Sequence, residues 1–158
     1  GNICVRSPLL MTEYWRHPSA NAEAFFPGRW FNTGDFGRIE GGCIYIASRK
    51  RDLIIRGGEN IYPFEIENCI EEMAGVIETA VIGVDHDMLG QEVKAIIVIA
   101  PDTNITDLDV HEHCKKTLSV YKIPAYVELR TERLPRNPSG KILKHVLADG
   151  SEAGFVEE

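Results

Sequence analysis

The sequence predicts an α+β fold in which a small sheet is backed by helices, following a β-rich opening stretch. Thr79 to Val84 and Val93 to Ala100 are apolar, rich in β-branched residues, and of buried-strand length. A third observation is the segment from Pro63, where Ile66, Ile70 and Met73 recur at helical spacing. Buried strands mixed with amphipathic helices are the pattern of a layered α+β domain.

The elements follow in order. Residues 3–6 read as a short strand. Residues 19–26 read as a short helix, with Ser19 as its N-cap. Trp30 to Ile39 and Cys43 to Ala47 read as two strands joined by the hairpin connection Glu40-Gly41-Gly42. Leu53-Ile54-Ile55 is a brief buried strand, and Gly57-Gly58 a turn between it and the next helix. Pro63 suits the first turn of that helix, where its missing N–H would have no partner in any case. Glu65, Glu67, Glu71 and Glu72 lie mostly off its apolar face, and Gly75 is expected to end it. Thr106, with Asp109 three residues on, forms an approximate capping box for a second helix, whose inner face carries Val110, Cys114 and Leu118. Tyr126 to Leu129 is a further strand. A last short helix follows Lys141, with Ile142, Leu143, Val146 and Leu147 facing inward. The tail from Gly150 to Glu158 is small and acidic, and is expected to fray. The chain contains no internal repeat.

Composition narrows the function classes. Hydrophobic residues make up 44% of the chain, enough for a sizeable core. Seventeen basic against 24 acidic residues give a net charge of −7, which disfavours general nucleic-acid binding. Arg49, Lys50, Arg51 and Arg56 form a local basic patch within this acidic chain. No apolar run approaches the ~20 residues that span a bilayer, and residues 1–6 lack the regions of a signal peptide. Cys4, Cys43, Cys69 and Cys114 form no Cys-x-x-Cys pair and are read as reduced thiols. The expected location is the cytoplasm. The chain opens on Gly1, which leads to the expectation of a fragment.

Three segments carry the chemistry. Thr33-Gly34-Asp35 comes first. The stretch from Arg49 through Asp52, Arg56, Gly57-Gly58-Glu59-Asn60 and on to Pro63 comes next, and Pro135-Arg136-Asn137-Pro138-Ser139-Gly140-Lys141 comes last. In this order they resemble the C-terminal part of the adenylate-forming enzymes, a superfamily of acyl-CoA synthetases, peptide-synthetase adenylation domains and luciferases. The acyl-CoA synthetases are the nearest in pattern. The resemblance implies that residues 1–49 are the end of the large N-terminal domain. Residues 50–158 would be the small mobile C-terminal domain, with a hinge about 49–51.

Each motif residue has a plain structural reading beside the functional one. Asp35 could simply stabilise a turn after Gly34. The resemblance implies that it binds the ATP ribose, as a carboxylate can accept bonds from vicinal hydroxyls. Arg49 could be a solvated charge, and the resemblance implies a second ribose contact from its fixed donors. Arg51 matches the hinge position, where the family more often has Asp or Lys. A hinge residue must tolerate a change of backbone angles and needs no chemistry of its own. Gly57, Gly58, Glu59 and Asn60 could be a plain turn. The resemblance implies that they line the passage for the pantetheine arm of coenzyme A, where glycine allows close approach. Lys141 sits on a Pro-rich loop expected to be mobile, and could be an ordinary surface lysine. The resemblance implies that it is the catalytic lysine of adenylation, an ammonium bridging the substrate carboxylate and the α-phosphate.

Other readings fail or lose ground. Gly140-Lys141 is no P-loop, because Pro135 stands where that pattern needs glycine and Ile142 replaces its Ser or Thr. His111, His113 and Cys114 invite a zinc site, yet positions i and i+2 of a helix face apart and no second cluster completes four ligands. No metal ligand is therefore assigned. Leu89 stands where some family members carry a Trp that stacks on the CoA adenine, a contact leucine cannot make in that way. The phosphate loop, the magnesium-binding glutamate segment and the acyl pocket of the family are missing from the sequence. The expected function is thus a fragment of an ATP-dependent acid–thiol ligase, inactive alone, using ATP, coenzyme A and Mg2+ bound by the missing N-terminal domain. Its acid is expected to be a fatty acid. One alternative is an adenylation enzyme that loads a carrier protein. Another is a free-standing, non-catalytic binding or regulatory module.

Overall fold

The computed structural model describes residues 1–49 and 52–148. The chain divides into two compact units, Gly1–Arg51 and Asp52–Glu158. The expected fraying tail lies outside the described residues.

The first unit is an antiparallel sheet centred on one long strand. Strand β3 (Trp30–Glu40) pairs with β1 (Asn2–Val5), β2 (Phe25–Phe26) and β4 (Cys43–Arg49). Gly41 and Gly42 both adopt positive φ, 57° and 80°, the backbone that a two-residue turn needs between twisted strands. Helix α1 (Pro18–Ala24) is capped two residues earlier than Ser19 predicts. Pro18 takes its first turn, His17 holds the cap position without a side-chain bond, and Ser19 lies inside the helix. Phe25 and Phe26 leave the helix to form β2.

The second unit is built on β8 (Gly90–Ile99), which is antiparallel to β7 (Val76–His86) and β5 (Ile54–Arg56) and parallel to β9 (Tyr126–Arg130). Strand β6 (Glu59–Ile61) pairs with β5 as a short hairpin. Alternate residues of the β7–β8 pair enter two cores. Val81, Val93, Ala95 and Ile97 meet Ile66 and Ile70 of α2 (Pro63–Glu71), and Val110 and Cys114 of α3 (Asp107–Cys114). Ala80, Ile82, Ile96 and Val98 meet Leu134, Ile142 and, from α4 (Lys144–Ala148), Leu147. Covering both faces explains why these strands read as continuous apolar runs and not as an alternation.

Glutamates close the exposed edge of β7. Glu67 accepts the Val81 N–H at 2.8 Å and Glu71 accepts the Thr79 N–H at 3.2 Å. Both come from α2, on the helix side that the apolar spacing marks as polar. An edge strand whose outward donors are taken by side chains is a poor template for further pairing. Glu67 also pairs with Lys144 of α4 at 2.6 Å, so one carboxylate joins two helices to the strand.

Several predicted boundaries move. Helix α2 ends at Glu71 with Glu72 as its C-cap, and Met73 packs on the core from beyond it. Gly75 ends no helix; it sits in the following turn at φ 93°, where a Cβ would fall 2.6 Å from the Thr103 side chain. Leu118 packs on the core after α3 has ended, and Ile142 and Leu143 precede α4. Strand β6 is absent from the sequence reading, which took Gly57-Gly58 as a link from strand to helix. Ile54 is buried as expected, but Ile55 is exposed. The capping box at Thr106 forms as predicted: Asp109 N–H donates to Thr106 Oγ1 at 3.3 Å, and Thr106 N–H donates to Asp109 Oδ2 at 2.9 Å.

Among the described residues no helix is long and apolar enough to cross a membrane. Two stability outcomes follow from the packing, both read from urea unfolding midpoints. Thr106→Ala should cost about 1 kcal/mol by removing the cap. Ile97→Ala should cost about 2–5 kcal/mol, because Ile97 is fully buried between the sheet and α2–α3.

Candidate functional site

Asp35 and Arg49 are brought together by the register of one hairpin. They stand opposite each other across β3 and β4 and form an ion pair, with Arg49 Nε 3.1 Å from Asp35 Oδ1. The approach to Asp35 is shaped locally. Gly34 takes φ 75°, its N–H donates to Asn32 Oδ1 at 3.1 Å, and the Asp35 N–H donates to Thr33 Oγ1 at 3.1 Å. Thr33 Oγ1 in turn donates to the Ile3 carbonyl at 2.9 Å, which ties this bend to β1. Thr33 and Gly34 thus turn the backbone so that the carboxylate sits largely shielded, while the half-exposed guanidinium lies toward solvent. A carboxylate has about four acceptor sites and a guanidinium five donors, the chemistry that vicinal hydroxyls can meet.

Gly57 and Gly58 form the tip of the β5–β6 hairpin, at φ 57° and 87°. Glu59 stands opposite Arg56, and Asn60 opposite Ile55; both follow the tip on β6 and are exposed. The tip rests on the turn between β7 and β8. Gly57 N–H donates to the Leu89 carbonyl at 2.8 Å, and Ile55 N–H donates to Gln91 Oε1 at 2.9 Å. Arg56 Nε donates to Glu92 Oε1 at 2.5 Å, and the same oxygen accepts the Val93 N–H at 2.9 Å. Burial disfavours the charged form of Glu92, yet the bonds from Arg56 and Val93 outweigh it and hold its carboxyl below the ordinary value. The same bond raises Arg56. This ion pair was not anticipated from sequence, because its partners are 36 residues apart.

Lys141 closes a separate tight turn in the loop that carries Pro135 and Pro138. Asn137 N–H donates to the Lys141 carbonyl at 2.9 Å, and Gly140 N–H to the Asn137 carbonyl at 2.9 Å. Asn137 Oδ1 accepts the Lys141 N–H at 2.8 Å and the Ser139 hydroxyl at 2.8 Å. Gly140 takes φ 84°, which the turn requires. Arg136 bonds the Gly140 carbonyl at 2.6 Å and forms an ion pair with Glu78 of β7. Glu78 also accepts the Leu134 N–H at 2.9 Å. The motif is therefore a small hairpin pinned to the start of β7, with the exposed Lys141 at its end.

The two loops of the second unit are tied to the sheet at opposite ends of β7. One is anchored at Glu78, the other beside the His86–Gly90 pair, eight residues along at about 26 Å. The two loops are thus held apart on one sheet.

The remaining assignments resolve simply. Arg51, the predicted hinge, lies outside the described residues. His111 uses both ring nitrogens on backbone carbonyls, of Asp107 at 2.7 Å and Pro124 at 2.8 Å, and His113 Nε2 meets the Cys69 carbonyl at 2.9 Å. These rings tie α3 to its neighbours. Among the described residues no group of three or more His, Cys, Asp or Glu could hold a metal ion. Burial first, and the neighbouring Cys69, push the Cys114 thiol up to about 12, which makes it inert at neutral pH. All four cysteines are free.

Residues 65–141 match the family model of the AMP-binding enzyme C-terminal domain. Over 150 residues the chain is 45% identical to the long-chain-fatty-acid–CoA ligase FadD13 of Mycobacterium tuberculosis, a match that covers 94% of this chain and 29% of that protein. It is 41% identical over 150 residues to the fatty acid–[acyl-carrier-protein] ligase ScoC of Streptomyces coeruleorubidus, covering 94% of this chain and 28% of that one. The fold superimposes on ATP-bound MatB of Rhodopseudomonas palustris with a TM-score of 0.89 at 38% identity, over 95% of this chain and 30% of that one. The chain therefore spans less than a third of the length of these relatives.

The carboxyls held below their ordinary value give a pH signature. Glu92 is one; Glu128, lowered by its bonds from Lys94 and then Arg130, is another. A depressed carboxyl adds stability above its unfolded value, about 4.3 for Glu, and that stability is lost as pH falls through the lower folded value. Urea midpoints should therefore drop as pH goes from about 6 to 3. Glu128→Gln should start lower at neutral pH and drop less over the same interval.

Proposed function

We propose, on the premise that this chain belongs through residues 65–141 to the AMP-binding enzyme C-terminal domain family, that it is the closing part of an ATP-dependent acid–thiol ligase. The whole enzyme would activate a fatty acid as acyl-AMP and transfer the acyl group to coenzyme A. The observation that carries this reading is the Asp35–Arg49 pair at 3.1 Å, in a chain 45% identical to a fatty acid–CoA ligase.

In the first half-reaction a carboxylate oxygen of the acid attacks the α-phosphorus of ATP. The bond to the β-phosphate oxygen breaks and pyrophosphate leaves. Asp35 accepts bonds from the ribose hydroxyls while Arg49 orients that carboxylate and adds a donor. Lys141 offsets the negative charge that collects between carboxylate and α-phosphate. In the second half-reaction the thiol of coenzyme A gives up its proton to solvent, its sulfur attacks the acyl carbonyl, the acyl C–O bond to the phosphate breaks and AMP leaves. The Gly57-Gly58 tip, free of side chains, gives the pantetheine arm a close approach, with Glu59 and Asn60 as polar edges. Because the two loops are anchored about 26 Å apart on one sheet, they serve the two half-reactions in turn, through rotation near residues 49–51. Arg51 is the pivot of this reading. Mg2+ would be held by the part of the enzyme upstream, and no step here runs through it. The enzyme is taken to work in the cytoplasm.

A second reading has a specific observation behind it: the 41% identity to a ligase whose acceptor is an acyl-carrier protein. The Gly57-Gly58-Glu59-Asn60 sequence favours coenzyme A.

The test uses the full-length protein with Mg-ATP, a fatty acid panel, and either coenzyme A or a phosphopantetheinyl carrier protein. Thioester on coenzyme A is expected, and thioester on the carrier protein alone would transfer the proposal to the second reading. Lys141→Ala should lower acid-dependent ATP–pyrophosphate exchange by at least about 10²-fold, while thioester formation from supplied acyl-adenylate stays near wild type. Equal loss of both would refute the division of roles. The 158-residue chain alone should release no AMP from ATP and acid.

A further inference from the structure

Ile54 of β5 and Ile61 of β6 root the β5–β6 hairpin in the core, but they pair at its base, and the tip that carries Gly57 and Gly58 has little of its own to hold it in place. Each strand has three residues, and among the described residues the ladder from β5 to β8 has a single register pair, Arg56 opposite Gly90. A two-stranded ribbon this short does not fix its own orientation. Its tip nevertheless rests against the β7–β8 turn, and three bonds beside the ladder hold it there. Two are neutral: Gly57 N–H to the Leu89 carbonyl, and Ile55 N–H to Gln91 Oε1. The third is the charged bond from Arg56 to Glu92 at 2.5 Å.

This third bond differs in kind. Glu92 is only 4% exposed, so its carboxylate is committed to the interior. A buried carboxylate deprived of its cation is strongly penalised, whereas an alternative arrangement of neutral bonds is cheap. If β5 slipped by one residue along β8, Ile55 would stand opposite Gly90, Ile54 would turn out of the core and Glu92 would lose its partner, so the ion pair acts with the burial of Ile54. The side-chain period of two makes such a slip all-or-none. His86 sets the other half of the contact, since its Nδ1 accepts the N–H groups of Met88 and Leu89, both at 3.3 Å, and so curls the turn that receives Gly57.

We infer that the Arg56–Glu92 ion pair is a register lock for the glycine hairpin, and that it positions Gly57 and Gly58 for the thiol half-reaction while leaving adenylation to other residues. The inference rests on the coenzyme A reading above. Arg56 and Glu92 are positioning residues: they act through the placement of the hairpin tip and touch no reacting atom. The separation from the Glu78 anchor at the far end of β7 makes the effect specific to one half-reaction.

The test is a kinetic split in the full-length enzyme. Arg56→Met should raise KM for coenzyme A by about tenfold or more, with acid-dependent ATP–pyrophosphate exchange within about twofold of wild type. Arg56→Lys, which keeps a cation but not the Nε geometry, should recover part of the loss. The double variant Arg56→Met/Glu92→Met removes both charges; its melting temperature should return toward wild type while KM for coenzyme A stays raised. A lock that only stabilises the fold would instead lower both half-reactions together and be rescued in both by the double variant, which overturns the inference. An unchanged KM for coenzyme A in folded Arg56→Met also overturns it. Wild-type enzyme that forms acyl-adenylate but no thioester with coenzyme A defeats the parent reading and the inference with it, and shows this before any variant is made.

Discussion

The second unit depends on one constraint: strand β8 must be buried on both faces and paired along both edges at once. Its odd residues serve the core under α2 and α3, and its even residues the core under Leu134, Ile142 and Leu147. On one edge it pairs with β7 along almost its whole length. On the other it is shared, with β5 at its first residue and β9 from Lys94 onward. A strand so occupied has no freedom of register, and every loop attached to it inherits a fixed position. Both candidate loops of this unit are attached to β8 or to its partner β7.

Carboxylates perform that attachment. Glu67 and Glu71 take edge N–H groups of β7, Glu78 takes Arg136 and the Leu134 N–H, and Glu92 takes Arg56 and the Val93 N–H. Each is a charged acceptor meeting donors that would otherwise be poorly satisfied at a sheet margin, where such bonds are stronger than neutral ones. The acidic excess of the chain, −7, is thus partly structural. Treating it as a solvated surface misses the residues that fix the loops.

What was legible in the sequence was local. The Thr106–Asp109 box, the Pro63 start, the hairpin at Gly41–Gly42 and the β7 and β8 runs all announce themselves within a few residues, and the structure contains them. Asp35 and Arg49 were singled out separately; the Gly41–Gly42 hairpin alone would set Asp35 opposite Ser48, and the register shift between Phe36 and Gly37, which the sequence did not announce, brings Arg49 there. Strand β6 was illegible because Glu59-Asn60-Ile61 has no apolar alternation and gains strand geometry only by pairing with β5. The ion pairs of Arg56 with Glu92 and of Arg136 with Glu78 join residues 36 and 58 positions apart. No periodicity carries such information. Prolines at 135 and 138 marked a loop but not its closed shape, which comes from bonds supplied by Asn137 and Arg136; proline favours such a turn by lowering the entropy of the unfolded loop.

The placement of the two loops bears on how one small domain could serve two reactions. A reaction centre is a few ångströms across, and catalytic groups act within hydrogen-bond reach of it. Loops pinned about 26 Å apart on a strand bound at both edges do not converge by bending that strand, because doing so would break the β7–β8 ladder and both cores together. The economical motion leaves the sheet intact and turns the whole unit. On the proposed function, the hydrogen-bond networks at Asn137 and at Glu92 would have the same purpose at opposite ends: each would keep its loop in shape while the body that carries it turned. The bonds within the unit would then be the condition for such a rotation to deliver either Lys141 or the glycine tip with atomic accuracy.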